Sequence, residues 1–186
     1  HFKWTEITFC FFLFFSAFLF AKDNKDTSFF DFTTKDVQGK DFPLSQLKNK
    51  VILVVNTASA CGFTPQLKDL EDLQKKYSKQ GFSVIAFPSN DFKQDQGSNT
   101  EIEKFAKDKY QISFPIMEKD HVAGKEKQPI YHFLTEAKSG FLFKEVQWNF
   151  EKFLVNKQGL VVKRWGSMTK PSSDEITKAI EEELKK

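Results

Sequence analysis

The sequence predicts an α/β fold with a central mixed β-sheet flanked by helices, and three patterns indicate this class. Two continuous apolar runs, Val51–Val55 and Phe82–Phe87, have the composition of strands that are buried on both faces. Apolar residues recur at helical spacing from Leu67 to Tyr77, and a strand–helix–strand unit of this kind forms a parallel pair with a right-handed crossover. Further along, residues 150–156 and 160–164 flank a glycine-containing turn and predict an antiparallel hairpin.

The remaining elements follow from local signals. Thr64 is placed to cap the first long helix, with Pro65 as its first residue, and Gly81 ends it. The other predicted elements are a small N-terminal hairpin that turns at 36–39, helices over 100–109 and 129–138, a short strand at 114–117, and a last helix that is capped by Ser172 or Ser173 and runs to Leu184. We therefore expect one folded domain over residues 22–186.

Composition restricts the classes of function. The chain has 186 residues, of which 40% are hydrophobic and 28% are charged, as in a soluble globular protein. Its 28 basic and 25 acidic residues are scattered along the chain, so we expect no nucleic-acid partner. His1, His121 and His132 are too far apart in the sequence to suggest a metal site, and we expect no metal and no organic cofactor.

Many of the 23 phenylalanines lie in one N-terminal apolar run, residues 7–21. This run is about as long as the hydrophobic part of a signal peptide, and it is shorter than the roughly 18–20 residues that span a bilayer. Lys3 precedes the run, and Ala21 is a small residue before a charged stretch. Residues 1–21 are therefore predicted to be a signal peptide cleaved near Ala21, with the protein in the secretory pathway or outside the cell. An uncleaved signal anchor is the alternative interpretation.

The chain has two cysteines, Cys10 in the apolar run and Cys61 after the first long strand. Removal of the run would leave Cys61 alone, which excludes an internal disulfide and a cysteine-based zinc cluster. Cys61 lies between the end of a central strand and the start of a helix, at the edge where open α/β sheets bind ligands. The positive end of the helix dipole favours the thiolate, the nucleophilic form of the residue. From position alone, an inert buried cysteine is an equally good interpretation, and Thr64 stands where a dithiol motif has its second cysteine.

Three segments carry a resemblance to a known family. Asn56–Thr64 resembles the active-site segment of glutathione peroxidases, Ile85–Phe92 resembles their second signature, and Trp148–Val155 is similar to the third. The segments occur in the family's order, and the resemblance covers roughly residues 29–184. It implies a thioredoxin-like fold, which agrees with the predicted strands. It also implies a thiol peroxidase that protects against oxidative stress and uses cysteine in place of selenocysteine, similar to the phospholipid-hydroperoxide members.

The resemblance also implies a set of catalytic residues. Cys61 would be the peroxidatic residue, which reduces hydrogen peroxide and organic or lipid hydroperoxides and becomes a sulfenic acid. Trp148 and Asn149 match the family's Trp-Asn pair, whose N–H groups stabilise the sulfur anion and the charge that develops on oxygen. The loop after the second signature is one residue shorter than in the family. Alignment on the glycine that follows puts Gln94 at the glutamine position, and Gln96 is the alternative.

Two departures from the family pattern affect the expected cycle. Lys107 and Ser89 stand at positions where different two-cysteine members carry their resolving cysteine. The chain therefore resembles a one-cysteine form, for which glutathione or another external thiol is the expected reducing co-substrate. Between His132 and Trp148 the chain lacks the long segment that tetrameric members insert, which favours a monomer with an open site.

Two other classes of function remain open on the sequence alone. A thioredoxin-fold redox sensor or thiol-relay protein would pass oxidation from Cys61 to a partner thiol without efficient turnover, and the missing resolving cysteine favours this alternative. A membrane-tethered structural protein would explain the N-terminal run and leave the three signature segments unexplained. Turnover with peroxide and excess small thiol separates enzyme from sensor, because the sensor stops after one equivalent.

Overall fold

A computed structural model describes residues 26–186 of the chain. The predicted signal peptide, residues 1–21, and Cys10 lie outside these residues. In chain order the elements are β1 (Thr33–Lys35), β2 (Asp41–Pro43), β3 (Val51–Thr57), α1 (Gln66–Tyr77), β4 (Phe82–Pro88), α2 (Asn99–Tyr110), α3 (Pro129–Ala137), β5 (Lys152–Val155), β6 (Val161–Trp165) and α4 (Asp174–Leu184). The predicted α/β class is confirmed. Among the helices described, none is long and apolar enough to cross a membrane.

The central sheet has the strand order β4-β3-β5-β6 and is mixed, as predicted. β3 and β4 are parallel, with Val51 opposite Phe82 and Thr57 opposite Pro88, and α1 makes the crossover between them. β5 is antiparallel to both β3 and β6. The carboxyl ends of β3 and β4 and the amino end of β5 therefore lie at one edge of the sheet, and three loops meet there.

Two apolar layers cover the sheet because its central strands are buried on both faces. Along β3, Val51, Leu53 and Val55 pack with α1 and α4 on one face, whereas Ile52 and Val54 pack with α3 and the N-terminal segment on the other. Successive side chains of a strand point to opposite faces, which explains this division. Complete burial of each such side chain contributes about 1.5–3 kcal/mol. This rigid platform supports the loops at the sheet edge.

Local predictions differ from the structure in a few places. Residues 114–117 form no strand but only isolated β-bridges to Ala86 and Asp36. Pro115 explains the difference, because it lacks the N–H group that a continuous ladder needs. The last helix is capped by Ser173, whose hydroxyl accepts a hydrogen bond from a backbone N–H one turn on.

Candidate active site

Three loops at the sheet edge carry the residues singled out in the sequence. The loop after β3 carries Cys61, the loop after β4 carries Gln94, and the segment before β5 carries Trp148 and Asn149. The N–H of Ala60 donates to the backbone oxygen of Gln94 at 3.0 Å. Nδ2 of Asn149 donates to Oε1 of Gln94 at 2.9 Å. Hydrogen bonds therefore connect all three loops around the cysteine.

Cys61 lies in a tight turn before α1, with 7% of its surface exposed. Its N–H donates to Oγ1 of Thr64 at 3.0 Å, and the Thr64 hydroxyl donates to the Ala58 oxygen at 2.8 Å. Thr64 thus stabilises the cysteine turn, and the prediction that it caps α1 is wrong. The N–H of Phe63 points to the cysteine and lies 3.4 Å from Sγ. This N–H and the amino end of α1 present positive charge to the sulfur, an environment that suits an anionic nucleophile.

The two candidate glutamines have different surroundings. The side chain of Gln94 is half-buried and bonded to Asn149, whereas Gln96 is exposed and its side chain has no hydrogen bond among the described residues. Lys93 has a φ of 61°, a left-handed conformation, and its N–H donates to the Asn90 oxygen at 3.0 Å. This turn directs the side chain after it toward Asn149. The geometry therefore favours Gln94 over Gln96 as the residue associated with the Trp-Asn pair.

The Trp-Asn pair combines an exposed ring with a buried amide. Trp148 is 39% exposed, and its ring packs against Phe92 with 5.3 Å between the ring centroids. Asn149 is completely buried, and its Oδ1 has no hydrogen-bond partner among the described residues. An unsatisfied buried amide oxygen is unusual and marks a position where a ligand can supply the missing donor.

Asn56 organises this segment, although the sequence analysis gave it no role. Its Nδ2 donates to the Trp148 oxygen at 3.0 Å, and its Oδ1 accepts the N–H of Glu151 at 3.1 Å. Its backbone oxygen accepts the N–H of Phe150 at 2.7 Å. Phe150 has a φ of 63°, a conformation that costs a bulky residue of order 1–3 kcal/mol, and these bonds hold it there. A polar residue close to the end of an otherwise apolar buried strand was the signal that could have identified Asn56.

Asp95 links the loop of Gln94 to the loop of Cys61 and was also missed. This buried carboxylate accepts both the hydroxyl of Ser59, at 2.7 Å, and the N–H of Ser59, at 3.3 Å. Burial raises the pKa of Asp95, and the hydrogen bonds from Ser59 oppose this change. Lys119 fixes the same loop from outside, because its Nζ donates to the backbone oxygens of Asp95 and Gly97.

A cavity of about 640 Å³ opens beside Trp148 and Phe63, the second residue after Cys61. Its lining is mostly apolar, and Phe141 and Met168 on it are 99% and 84% exposed. The large exposed apolar side chains that line this cavity are Phe141, Leu142, Phe143, Trp148 and Met168. A concave apolar surface of this size can accommodate the carbon chain of a ligand. No cluster of three or more metal-ligating side chains occurs within residues 26–186.

Comparison with known proteins shows the family of the chain. A family model described as glutathione peroxidase matches residues 29–135. The chain is 51% identical over 149 residues to glutathione peroxidase-like peroxiredoxin 2 of Saccharomyces cerevisiae, which covers 79% of this chain and 92% of the relative. It is 48% identical over 143 residues to phospholipid hydroperoxide glutathione peroxidase 1, chloroplastic, of Arabidopsis thaliana, which covers 76% of this chain and 61% of the relative.

Solved structures agree with the fold. The crystal structure of Trgpx in apo form superposes with a TM-score of 0.71 at 40% identity, over 86% of this chain and 97% of that one. A thiol:disulfide interchange protein of the thioredoxin family from Chlorobium tepidum superposes with a TM-score of 0.59 at 19% identity, over 82% of this chain and 92% of that one. The second likeness concerns the fold alone, and it confirms the predicted thioredoxin-like architecture.

The predicted secretory or extracellular location is wrong. The Arabidopsis relative is named as chloroplastic, and the name of the yeast relative carries no secretory destination. The prediction depended on the length and hydropathy of residues 7–21, and the apolar character of a terminal run does not by itself determine a destination.

The matched family model, the relatives near half identity and the superposed structure lead to one conclusion. The chain belongs to the glutathione peroxidase family and is a thiol-dependent peroxidase with a thioredoxin-like fold.

Proposed function

We propose that Cys61 is the peroxidatic residue and that Gln94, Trp148 and Asn149 assist it, with glutathione as the reducing co-substrate. The observation that supports this most directly is the chain of hydrogen bonds from Asn149 through the side chain and backbone of Gln94 to Ala60, the neighbour of Cys61. Such a chain holds the loops of Cys61, Gln94 and Asn149 together without a titrating base. Preorganised donors stabilise charge that develops in a transition state.

The proposed reaction has three steps. The Cys61 thiolate attacks one peroxide oxygen, the O–O bond breaks, and the alkoxide or hydroxide leaves with the bonding electrons and takes a proton to become an alcohol or water. The sulfur is now a sulfenic acid. One thiol attacks this sulfur and releases water, which leaves a mixed disulfide. A second thiol then attacks the mixed disulfide, so that Cys61 leaves as thiolate and the two reductant molecules leave as a disulfide.

The paired amides of Gln94 and Asn149 suit both states of the peroxide oxygen. As arranged, the free atom of Asn149 is an acceptor, Oδ1, and the hydroperoxide O–H is a donor that can satisfy it. Rotation of both amides by half a turn keeps the hydrogen bond between them and leaves an N–H donor free instead. The pair can therefore bind the neutral hydroperoxide and then donate to the oxyanion.

The apolar cavity supports hydroperoxides with a long carbon chain as substrates, in addition to hydrogen peroxide. Its wall includes Trp148, so a chain that lies in it can place the peroxide group near the Trp-Asn pair. The Arabidopsis relative, whose name specifies phospholipid hydroperoxide, agrees with this class of substrate.

The cysteine content supports an external small thiol as reductant. Cys61 is the free cysteine of the described residues, and Lys107 and Ser89 leave no resolving cysteine on α2 or after β4. A sulfenic acid in a cleft without a neighbouring thiol must react with thiols from solution, and a small thiol reaches it in both steps.

The test is steady-state consumption of NADPH by the purified full chain, coupled through glutathione reductase or through thioredoxin and its reductase. Hydrogen peroxide and a fatty-acid hydroperoxide serve as substrates. We expect turnover of both peroxides and a higher rate with glutathione. A clear advantage of thioredoxin would contradict glutathione as the co-substrate, and oxidation that stops after one equivalent with either couple would favour the redox sensor.

A further inference from the structure

Lys152, the first residue of β5, is a lysine with an exposed fraction of 0%. Its Nζ donates to the backbone oxygens of Gly166 at 3.4 Å, Ser167 at 3.1 Å and Thr169 at 2.7 Å. An ammonium group has three N–H donors, so each of them is used. All three acceptors belong to the loop that follows β6, here named the 166–169 loop. One buried cation therefore holds the whole loop.

The 166–169 loop is bonded both to the helix that follows Cys61 and to the strand that follows Asn149. Gln66, the first residue of the helix that follows Cys61, donates through Nε2 to the Ser167 oxygen at 2.8 Å. Lys152 holds the loop from the other side, three positions after Asn149 in the chain. The loop lines the apolar cavity, and its Met168 is on the cavity wall. A shift of the loop would change the width of the cavity, and among the described residues no hydrogen bond joins the loop to Cys61 itself.

We propose that Lys152 is a positioning residue that holds the 166–169 loop and thereby sets the width of the cavity for the carbon chain of a large hydroperoxide. This inference rests on the proposed use of the cavity by such substrates. Hydrogen peroxide has no carbon chain, so its reduction is independent of Lys152. The KM for a long-chain hydroperoxide depends on the hold that Lys152 has on the loop.

The neighbouring charged groups do little to stabilise the ammonium group of Lys152. Glu151, its neighbour on β5, is committed to an ion pair with Arg164 at 2.8 Å. Val55 on β3 and Trp165 on β6 lie opposite Lys152 in the sheet and carry no charge. The carbonyl dipoles of the loop are therefore the direct partners of the ammonium.

Two side chains of neighbouring helices reach this part of the described structure, and both have other partners or no charge. On α4, Glu175 accepts the indole N–H of Trp165 at 2.9 Å, and on α1 the neutral Gln66 faces the loop. Burial lowers the pKa of Lys152 to about 7, and the charge of Glu151 opposes this change. The neutral amine has two N–H groups for three carbonyls, so the hold on the loop weakens as the pH rises through about 7.

The experiment compares the full wild-type chain with Lys152→Met, Lys152→Arg and the control Lys157→Met. Lys157 also donates to a backbone oxygen, that of Leu184 at 2.9 Å, but it is not on the cavity. We expect Lys152→Met to raise the KM for a fatty-acid hydroperoxide about 10-fold and to keep kcat/KM for hydrogen peroxide within about 2-fold. Lys152→Arg, which retains the charge, restores part of the loss, and Lys157→Met has the KM of wild type.

The pH profile separates positioning by a titrating group from a purely structural role. In wild type the KM for the fatty-acid hydroperoxide rises between one unit below and one unit above the pKa of about 7. In Lys152→Met this rise is absent, and in Lys152→Arg the KM stays low at both values. The KM for hydrogen peroxide serves as the reference at each pH. If the wild-type KM for the fatty-acid hydroperoxide is the same at both pH values, the inference is overturned. This test uses the wild type alone, so it holds even if Lys152→Met fails to fold.

Hydrogen exchange of the 166–169 amides tests the hold on the loop without any substrate. After correction for the intrinsic rate, we expect faster exchange above the pKa in wild type and at both pH values in Lys152→Met. Unchanged exchange in both comparisons overturns the inference. If the wild-type enzyme reduces hydrogen peroxide but no fatty-acid hydroperoxide, the proposed substrate class is wrong. The two failures can be distinguished, because hydrogen exchange of the loop measures the effect of Lys152 without any substrate.

Discussion

The floor and the rim of the active-site cleft are built in opposite ways. The floor consists of Cys61, Gln94 and Asn149, which are buried or half-buried and belong to loops joined by hydrogen bonds of about 3 Å at the ends of three strands. The rim consists of the exposed apolar side chains Phe141, Leu142, Phe143 and Met168, which line the neighbouring cavity. The floor is suited to the small polar peroxide group of a substrate, and the rim is suited to the carbon chain that carries this group.

This difference suggests that the floor determines the rate of the reaction and that the rim determines which large substrates bind. Under the proposed mechanism every hydroperoxide presents the same O–O bond to the floor, so we expect a change there to affect all substrates equally. We expect the rim to contact only substrates with a carbon chain, so a change there would affect those alone. Variants of the floor and of the rim test this separation, in order of decreasing expected effect on turnover.

Substitution of the nucleophile is expected to have the largest effect. Cys61→Ser abolishes turnover of both hydrogen peroxide and fatty-acid hydroperoxide, because a serine hydroxyl is essentially un-ionised near neutral pH. The measurement is steady-state peroxide consumption, with the thermal unfolding midpoint as a check on the fold. Cys10→Ser is the matched control and keeps wild-type turnover. Substantial activity in Cys61→Ser would exclude Cys61 as the peroxidatic residue.

Removal of a donor from the floor is expected to slow oxidation of Cys61 for every substrate. Gln94→Ala, Asn149→Ala and the neighbouring Trp148→Phe each lower the rate by about 10-fold or more, since one preorganised donor is lost. Stopped-flow oxidation by hydrogen peroxide measures this step directly. Gln96→Ala is the control and has the wild-type rate. If Gln96→Ala slows oxidation of Cys61 and Gln94→Ala does not, the gap in the loop was placed wrongly and Gln96 is the glutamine of the site.

Changes on the rim are expected to act on large substrates only. Phe141→Ser raises the KM for a fatty-acid hydroperoxide about 10-fold, because it removes apolar contact of about 1.5 kcal/mol, and it leaves hydrogen peroxide kinetics unchanged. Leu160→Ser is the matched control, because Leu160 is a large exposed apolar residue outside the cavity. If Phe141→Ser and Leu160→Ser change the KM for the fatty-acid hydroperoxide equally, the rim has no special role in binding the carbon chain.

The last effect is on stability and not on turnover, and it concerns Lys152, which holds the 166–169 loop of the cavity. Burial lowers the pKa of Lys152 to about 7 from a value of 10.5, so between these limits the unfolded chain binds more protons than the folded one. The free energy of unfolding therefore rises with pH across this window, by up to about 1.4 kcal/mol per pH unit, and the full cost of burial is present below pH 7. Urea unfolding at several pH values measures this slope. Lys152→Met lacks the contribution, and Lys157→Met retains it.

Local signals predicted much of the framework. The apolar runs predicted β3 and β4 within two residues, and helical spacing predicted α1, because strand and helix periodicity depend on residues that are close in the chain. Where local signals competed, they failed: Thr64 and Pro65 look like a helix cap, but the Thr64 hydroxyl bonds within the cysteine turn instead. The short strand at 114–117 was wrong because the proline within it cannot continue a ladder.

The sequence by itself determined the α/β framework, the family and the position of Cys61, since each depends on neighbouring residues or on a short ordered motif. Only the tertiary structure decided which glutamine meets Asn149, because Gln94 and Gln96 are two positions apart in one polar loop and differ only in what faces them. It also decided the contacts of Asn56 and Lys152. Their partners lie up to 95 positions away in the chain, and such contacts arise from strand pairing, which no local pattern records.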